Sequence, residues 1–313
     1  MNAQAPALSL SSDLLTGTEW NAAQVRELFH LAADVKAHPD RYKSALAGRF
    51  LAMVFEKPSL RTRVTFEVGL VSMGGSAILL DHANARLGER ESIADVARSL
   101  SRWVHGIVAR VFAQEALDTL AAHASVPVIN ALSDLYHPCQ TFADFFTLEE
   151  KFGSARGVKL AYIGDGNNVC HSLMTSGARV GSHVRVATPA GYGPDPGIVE
   201  AARRDAAATQ GTIELFHAPE EAVSGAQAVY TDVWASMGQE NETEARAAIF
   251  APYQVNDALM SHAAPDAVFL HCLPAHRGSE VTDEVMESPR SIVFDQAENR
   301  LHVQKAILLM LLN

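Results

Sequence analysis

The stretch 51–63, LAMVFEKPSLRTR, runs from a purely apolar segment through a polar turn into a helical pattern. Residues 51–55 read as a buried strand and residues 61–73 as an amphipathic helix, which together make one step of an α/β fold. Pro58 suits the turn, and Ser59 and Thr62 bring hydroxyls to it. The first helical turn adds unpaired N–H groups at the positive end of the helix dipole. Arg61 contributes a planar fork that matches two phosphate oxygens at once. The same run also fits a capped helix with solvated arginines, so the strand and helix are fixed more firmly here than the ligand.

Working outward, the strand-helix alternation continues on both sides. Further strands are predicted at 77–80, 107–111 and 126–129, with helices at 20–37, 93–103 and 113–122. A helix at 139–152 interrupts the series, and the alternation restarts with strands at 158–163, 184–187, 213–216, 228–231, 267–271 and 292–294. A last helix is predicted at 297–312. The expected fold class is α/β, with two doubly wound parallel-sheet domains at 1–136 and 137–296. The 139–152 helix links them, and 297–313 packs back on the first. Ligands of such folds sit at the carboxyl ends of the strands.

Composition narrows the function classes. A chain of 313 residues with 48% hydrophobic and 19% charged residues fits two soluble globular domains rather than a disordered polymer. A net charge of −11 leaves no basic stripe for nucleic acid, so arginines gathered at one cleft would be a local exception made for an anion. No apolar run reaches membrane-spanning length, and the first dozen residues lack the pattern of a signal peptide. Cys139, Cys170 and Cys272 show no paired spacing, which points to a reducing, cytoplasmic setting.

Several polar residues fall at predicted strand ends. Arg110 lies in an apolar strand, where it needs a partner, either a structural carboxylate or a bound anion. His137, Pro138, Cys139 and Gln140 open the linking helix. They read equally as a helix start with a satisfied histidine or as donors to a carbonyl oxygen that gains negative charge. The loop Gly164, Asp165, Gly166, Asn167, Asn168 follows a strand, but Val169 stands where a dinucleotide fingerprint needs its third glycine. Asp232 with the loop to Gly238, and the run from His271 to Gly278, each follow another strand. No C-x-x-C or H-E-x-x-H spacing is present, so no metal site is expected.

Taken together, these segments resemble the transcarbamoylases, the aspartate/ornithine carbamoyltransferase family, from about residue 20 to 312. The S-x-R-T-R run at Ser59, the H-P-x-Q run at His137 and the R-L pair at Arg300 resemble the family's carbamoyl phosphate set. Asp232 with Ser236, Met237 and Gly238, and the H-C-L-P run at His271, resemble its ornithine-specific set. The resemblance implies carbamoyl transfer from carbamoyl phosphate to the side-chain amine of L-ornithine, giving citrulline and phosphate in arginine biosynthesis. No metal or organic cofactor is implied.

By that resemblance, Ser59, Leu60, Arg61, Thr62, Arg86 and Arg110 bind carbamoyl phosphate, joined by His137, Gln140, Cys272, Leu273 and Arg300. Asn168, Asp232, Ser236 and Met237 hold ornithine. Arg110, His137, Gln140, Asp232, Cys272 and Arg300 carry the chemistry, in a homotrimer whose sites lie between subunits. Leu60 departs from the family's usual threonine, and Arg86 stands in the segment that usually supplies a glutamine to a neighbouring subunit. The alternatives are an N-acylornithine or putrescine carbamoyltransferase, or a non-catalytic relative.

Overall fold

The apolar run that opens the sequence reading becomes β1 (Phe50–Phe55), buried from Leu51 onward and paired in parallel on both edges. The computed structural model describes residues 13–81, 86–235 and 243–313. They form two compact units, one of residues 13–132 with 302–313 and the other of residues 133–301.

In the first unit, α1 (Ala22–Ala37) precedes β1. It starts on a capping box in which Asn21 accepts from the helix and Gln24 accepts from the Asn21 N–H. The sheet order is β2-β1-β3-β4, all parallel, with β2 (Ser76–Asp81), β3 (Gly106–Arg110) and β4 (Val128–Leu132). The crossovers are α2 (Leu60–Val71), α3 (Ile93–Leu100) and α4 (Gln114–His123). A core of Ala52, Val54, Ile107, Ala109, Leu117 and Leu120 fills the space between strands and helices. β4 begins later than the sequence reading placed it, because Pro127 has no N–H for the ladder, and the Val128 N–H turns to the Asp13 carboxylate at 2.8 Å.

The second unit opens with α5 (Pro138–Phe152), buried on all sides through Leu148. The sheet order is β7-β6-β5-β8-β9, again all parallel, with β5 (Lys159–Ile163), β6 (His183–Ala187), β7 (Thr212–Phe216), β8 (Ala228–Thr231) and β9 (Val268–His271). The helices are α6 (Asn168–Val180), α7 (Pro196–Thr209), α8 (Pro219–Val223), α9 (Thr243–Phe250), α10 (Asp257–Met260), α11 (Asp283–Met286) and α12 (Val293–Leu312). Small residues let α5 and α6 approach: Thr141 and Ser176 share a 2.7 Å hydrogen bond, and the His137 N–H reaches Ser172 Oγ at 2.7 Å.

The fold class agrees with the expectation of two parallel α/β sheets. The strand predicted at 292–294 is a correction, because those residues enter α12. Ile292, Val293, Gln296, Asn299 and Arg300 are buried while Phe294 is exposed, a helical period in which I-V-F supplies the first turn. The compact units divide at Leu132/Ser133 and at Leu301/His302, so α12 belongs to the second unit through Leu301 and to the first from His302. Each sheet reverses its strand order once, between β1 and β3 in the first and between β5 and β8 in the second. Ligand crevices of open α/β sheets form at these points.

Candidate functional site

At the reversal point of the first sheet, register places Phe55 beside Arg110, so the α2 start and the Arg110 guanidinium leave the sheet at one end. Ser59 is the N-cap of α2, its hydroxyl accepting from the Thr62 N–H at 3.3 Å. Leu60 occupies the first helical position with its side chain 74% exposed, so this position offers its backbone N–H rather than its side chain. Arg61 is half-buried, while Thr62 and Arg110 are buried.

Sequence reasoning missed the residue that organises this end of the sheet. Buried Glu56 accepts from the Leu87 N–H at 2.6 Å and the Phe112 N–H at 2.7 Å, tying the segment behind Arg86 to the loop after β3. Arg86 and Lys57 both lie over the Phe112 ring, at 4.5 and 4.2 Å from its centroid. The only signal was an acidic residue following an apolar strand, which is too common to single out.

At the reversal point of the second sheet, Ile163 pairs with Thr231 and Thr231 with His271, so the residues that follow those strands converge. Asp232 is buried and accepts from Asn167 Nδ2 at 2.8 Å, from its neighbour's Val233 N–H at 2.8 Å and from Cys272 Sγ at 2.9 Å. In this arrangement Cys272 donates as a thiol. Asn167 caps α6 with its side-chain oxygen while its nitrogen serves Asp232. The ornithine set drawn from the sequence includes Asn168 but not Asn167, and Asn168 spends its amide on the Ser133 carbonyl at 2.6 Å. The doublet after the glycine loop was visible in sequence, but which asparagine faced Asp232 was not. Asp165 pairs with Arg246 at 2.9 Å, and burial raises its carboxyl against the pull of that guanidinium.

His271, Asp232 and Cys272 also group three possible metal donors within 4.8 Å of one another. One His271 nitrogen is already engaged: Nδ1 accepts from the Leu273 N–H at 2.8 Å, while Nε2 lies 3.3 Å from buried Glu280 without a hydrogen bond. Leu273 therefore follows Cys272 with its backbone held by the preceding histidine.

Three further predicted residues lie in the same unit, and two of them are hydrogen-bonded to each other. His137 is buried at the N-cap position of α5, ahead of Gln140. Arg300, fully buried on α12, donates to Gln140 Oε1. Cys139 lies inside α5, where burial pushes its thiol up to about 12. Ser236 and Met237 lie outside the described residues.

The predicted residues thus form an anion-suited group in one unit, and an amine-suited group with a buried amide-guanidinium pair in the other. Comparison with known proteins also divides the chain in two, but with the boundary near the end of α5 rather than before it. The family model "Aspartate/ornithine carbamoyltransferase, carbamoyl-P binding domain" matches residues 12–150, and "Aspartate/ornithine carbamoyltransferase, Asp/Orn binding domain" matches 156–311. An ornithine carbamoyltransferase of Thermococcus kodakarensis is 56% identical over 85% of this chain and 85% of its own. The anabolic ornithine carbamoyltransferase of Pyrococcus furiosus is 52% identical over 94% of this chain and 92% of its own. A solved ornithine carbamoyltransferase from Pyrococcus furiosus superposes with a TM-score of 0.94 at 50% identity, covering 97% of this chain and 98% of that one. The chain belongs to the aspartate/ornithine carbamoyltransferase family.

Proposed function

We propose that the chain transfers the carbamoyl group of carbamoyl phosphate to the side-chain amine of L-ornithine, forming L-citrulline and phosphate in arginine biosynthesis. The observation that carries this choice of acceptor is the Asp232 carboxylate, held by Asn167 and the Cys272 thiol where two strand ends meet. A buried carboxylate with an uncharged thiol beside it suits a cationic amine and repels a second carboxylate.

Carbamoyl phosphate is bound by Ser59, the Leu60 backbone, Arg61, Thr62 and Arg110, with Arg86 adding charge. The capped α2 terminus offers donors aimed outward along its dipole, and Arg61 a bidentate fork. His137, Gln140 and Arg300, with the backbone around Cys272 and Leu273, engage the carbamoyl end. Asn168, Ser236 and Met237 join Asp232 in holding ornithine.

An alkylammonium with an ordinary pKa near 10.4 must lose a proton before attack, which costs about 4–5 kcal/mol at pH 7. Asp232 orients the amine, and the departing phosphate can take the proton. Attack places negative charge on the carbamoyl oxygen, where Arg110 and His137 act as preorganised donors. Arg61 and the helix terminus then stabilise phosphate as it leaves.

The chain works as a homotrimer in the cytoplasm. Leu60, Val64, Val68 and Val71 expose an apolar stripe along α2, continued by Ile78 on the edge strand β2, and such a stripe is suited to a second copy. The described cysteines are all free, which suits a reducing compartment.

The test is citrulline formation from carbamoyl phosphate with L-ornithine, run beside N-acetylornithine, putrescine and L-aspartate. Ornithine is expected to be preferred, and Arg61→Ala to lower turnover by at least about 100-fold, the scale of losing one charge-stabilising donor. Preference for another acceptor, or an Arg61→Ala enzyme with unchanged kinetics, overturns the reading.

A further inference from the structure

The side chain of Asp144 is fully buried in α5, one helical turn after Gln140. Its Oδ1 accepts two hydrogen bonds, from Gln140 Nε2 at 2.8 Å and from Gln296 Nε2 on α12 at 2.7 Å. Gln296 Nε2 also reaches the Tyr230 hydroxyl at 3.2 Å. On its other side, Gln140 accepts through Oε1 from the Arg300 guanidinium. A primary amide has one donating and one accepting end. With Asp144 accepting the nitrogen, the oxygen of Gln140 is the end turned to Arg300. The swapped amide would set oxygen against oxygen at Asp144 and nitrogen against guanidinium at Arg300.

A carboxyl group in this place is costly. Burial pushes Asp144 up to about 7, against the opposing pull of Gln296, Gln140, Tyr230 and Arg300. An apolar residue would fill the same space with less desolvation but could not select the amide orientation.

We infer that Asp144 is a positioning residue: it fixes the polarity of the Gln140 amide, so that Gln140 meets the carbamoyl group with its oxygen, as acceptor to the carbamoyl NH2, beside a held Arg300. This revises the role that the sequence assigns to Gln140, which was that of a donor. It rests on the proposal that Gln140 and Arg300 engage carbamoyl phosphate.

The test is steady-state citrulline synthesis by the wild-type protein, Gln140→Ala, Asp144→Ala, Asp144→Ser, Asp144→Asn and the double variant Gln140→Ala/Asp144→Ala, each with its folding checked by thermal melting. Asp144→Ala is expected to lower kcat about 10- to 100-fold, the effect of a misplaced contact, with KM for ornithine within about twofold. Asp144→Asn should recover most of that loss, because its Oδ1 can take both donors. In the Gln140→Ala background, removing Asp144 should cost nothing further.

A folded Asp144→Ala or Asp144→Ser enzyme with wild-type kcat overturns the inference, as does a loss that is fully additive with Gln140→Ala. Failure of both Ala and Ser variants to fold makes Asp144 structural and also overturns it. Wild-type kinetics in Gln140→Ala would instead sink the underlying assignment of Gln140, and a wild-type protein that forms no citrulline would sink the proposed reaction. The failures are therefore distinguishable.

Discussion

His171 illustrates how a single side chain joins parts of this fold through its protonation state. Its Nδ1 donates to the Leu135 carbonyl at 3.1 Å, and its Nε2 accepts from the Asp195 N–H at 2.9 Å, so the neutral ring is the one that fits. Burial lowers its pKa below the ordinary 6.5, offset in part by Leu135 and Asp195. The unfolded chain thus binds this proton more readily than the native one. The stabilising effect is complete above pH about 6.5 and is lost as pH falls below that value toward the lowered native pKa. Thermal melts from pH 8 to 5 should show His171→Gln losing stability less steeply than the wild type over that window. Parallel curves would exclude the mechanism. At the same scale, legibility in sequence was uneven. Arg110, Asp232 and Cys272 stood out because each interrupts or directly follows an apolar strand, and Arg61 because it opens a helix just after one. Asp144 did not, because an acid inside a helix is ordinary until its burial is known. Glu56 and Asn167 were hidden for a related reason: their roles depend on segments far away in sequence.

Among elements, strand positions were read closely because buried parallel strands are short continuous apolar runs, and 228–231 agrees with β8 (Ala228–Thr231). The run at 292–294 failed for the same physical reason, since a short apolar run cannot by itself separate a strand from the first turn of a buried helix. The far end of α12 shows what that helix contributes to the first unit. Leu312 is 4% exposed and lies so near the start of β3 that a Cβ built on Gly106 would stand 2.8 Å from its Cδ2. Leu312→Ala should remove packing that the glycine cannot replace, at a cost of about 2–3 kcal/mol in urea unfolding. An unchanged midpoint would mean that the helix end contributes little to the sheet.

For the whole molecule, the apolar stripe on α2 bears on assembly. A trimer of 33.7 kDa chains has a mass of about 101 kDa, which light scattering on the eluted protein should return. Charged substitutions at Val64 and Val68 should shift that mass toward the single chain, and a monomeric wild type would remove the proposed assembly. The two compact units also differ in how the chain supplies them. The second comes from one uninterrupted stretch, 133–301, whereas the first needs 302–313 to complete it. A ribosome delivers residues 13–132 first and withholds their last helix turns until the whole second unit has emerged, roughly 10–30 s later at ordinary synthesis rates. During that interval the nascent first unit has Gly106 and its neighbouring strands bare where Leu312 will later sit. The order of completion is thereby inverted relative to the order of translation: the half whose synthesis starts second is the first to have its whole chain.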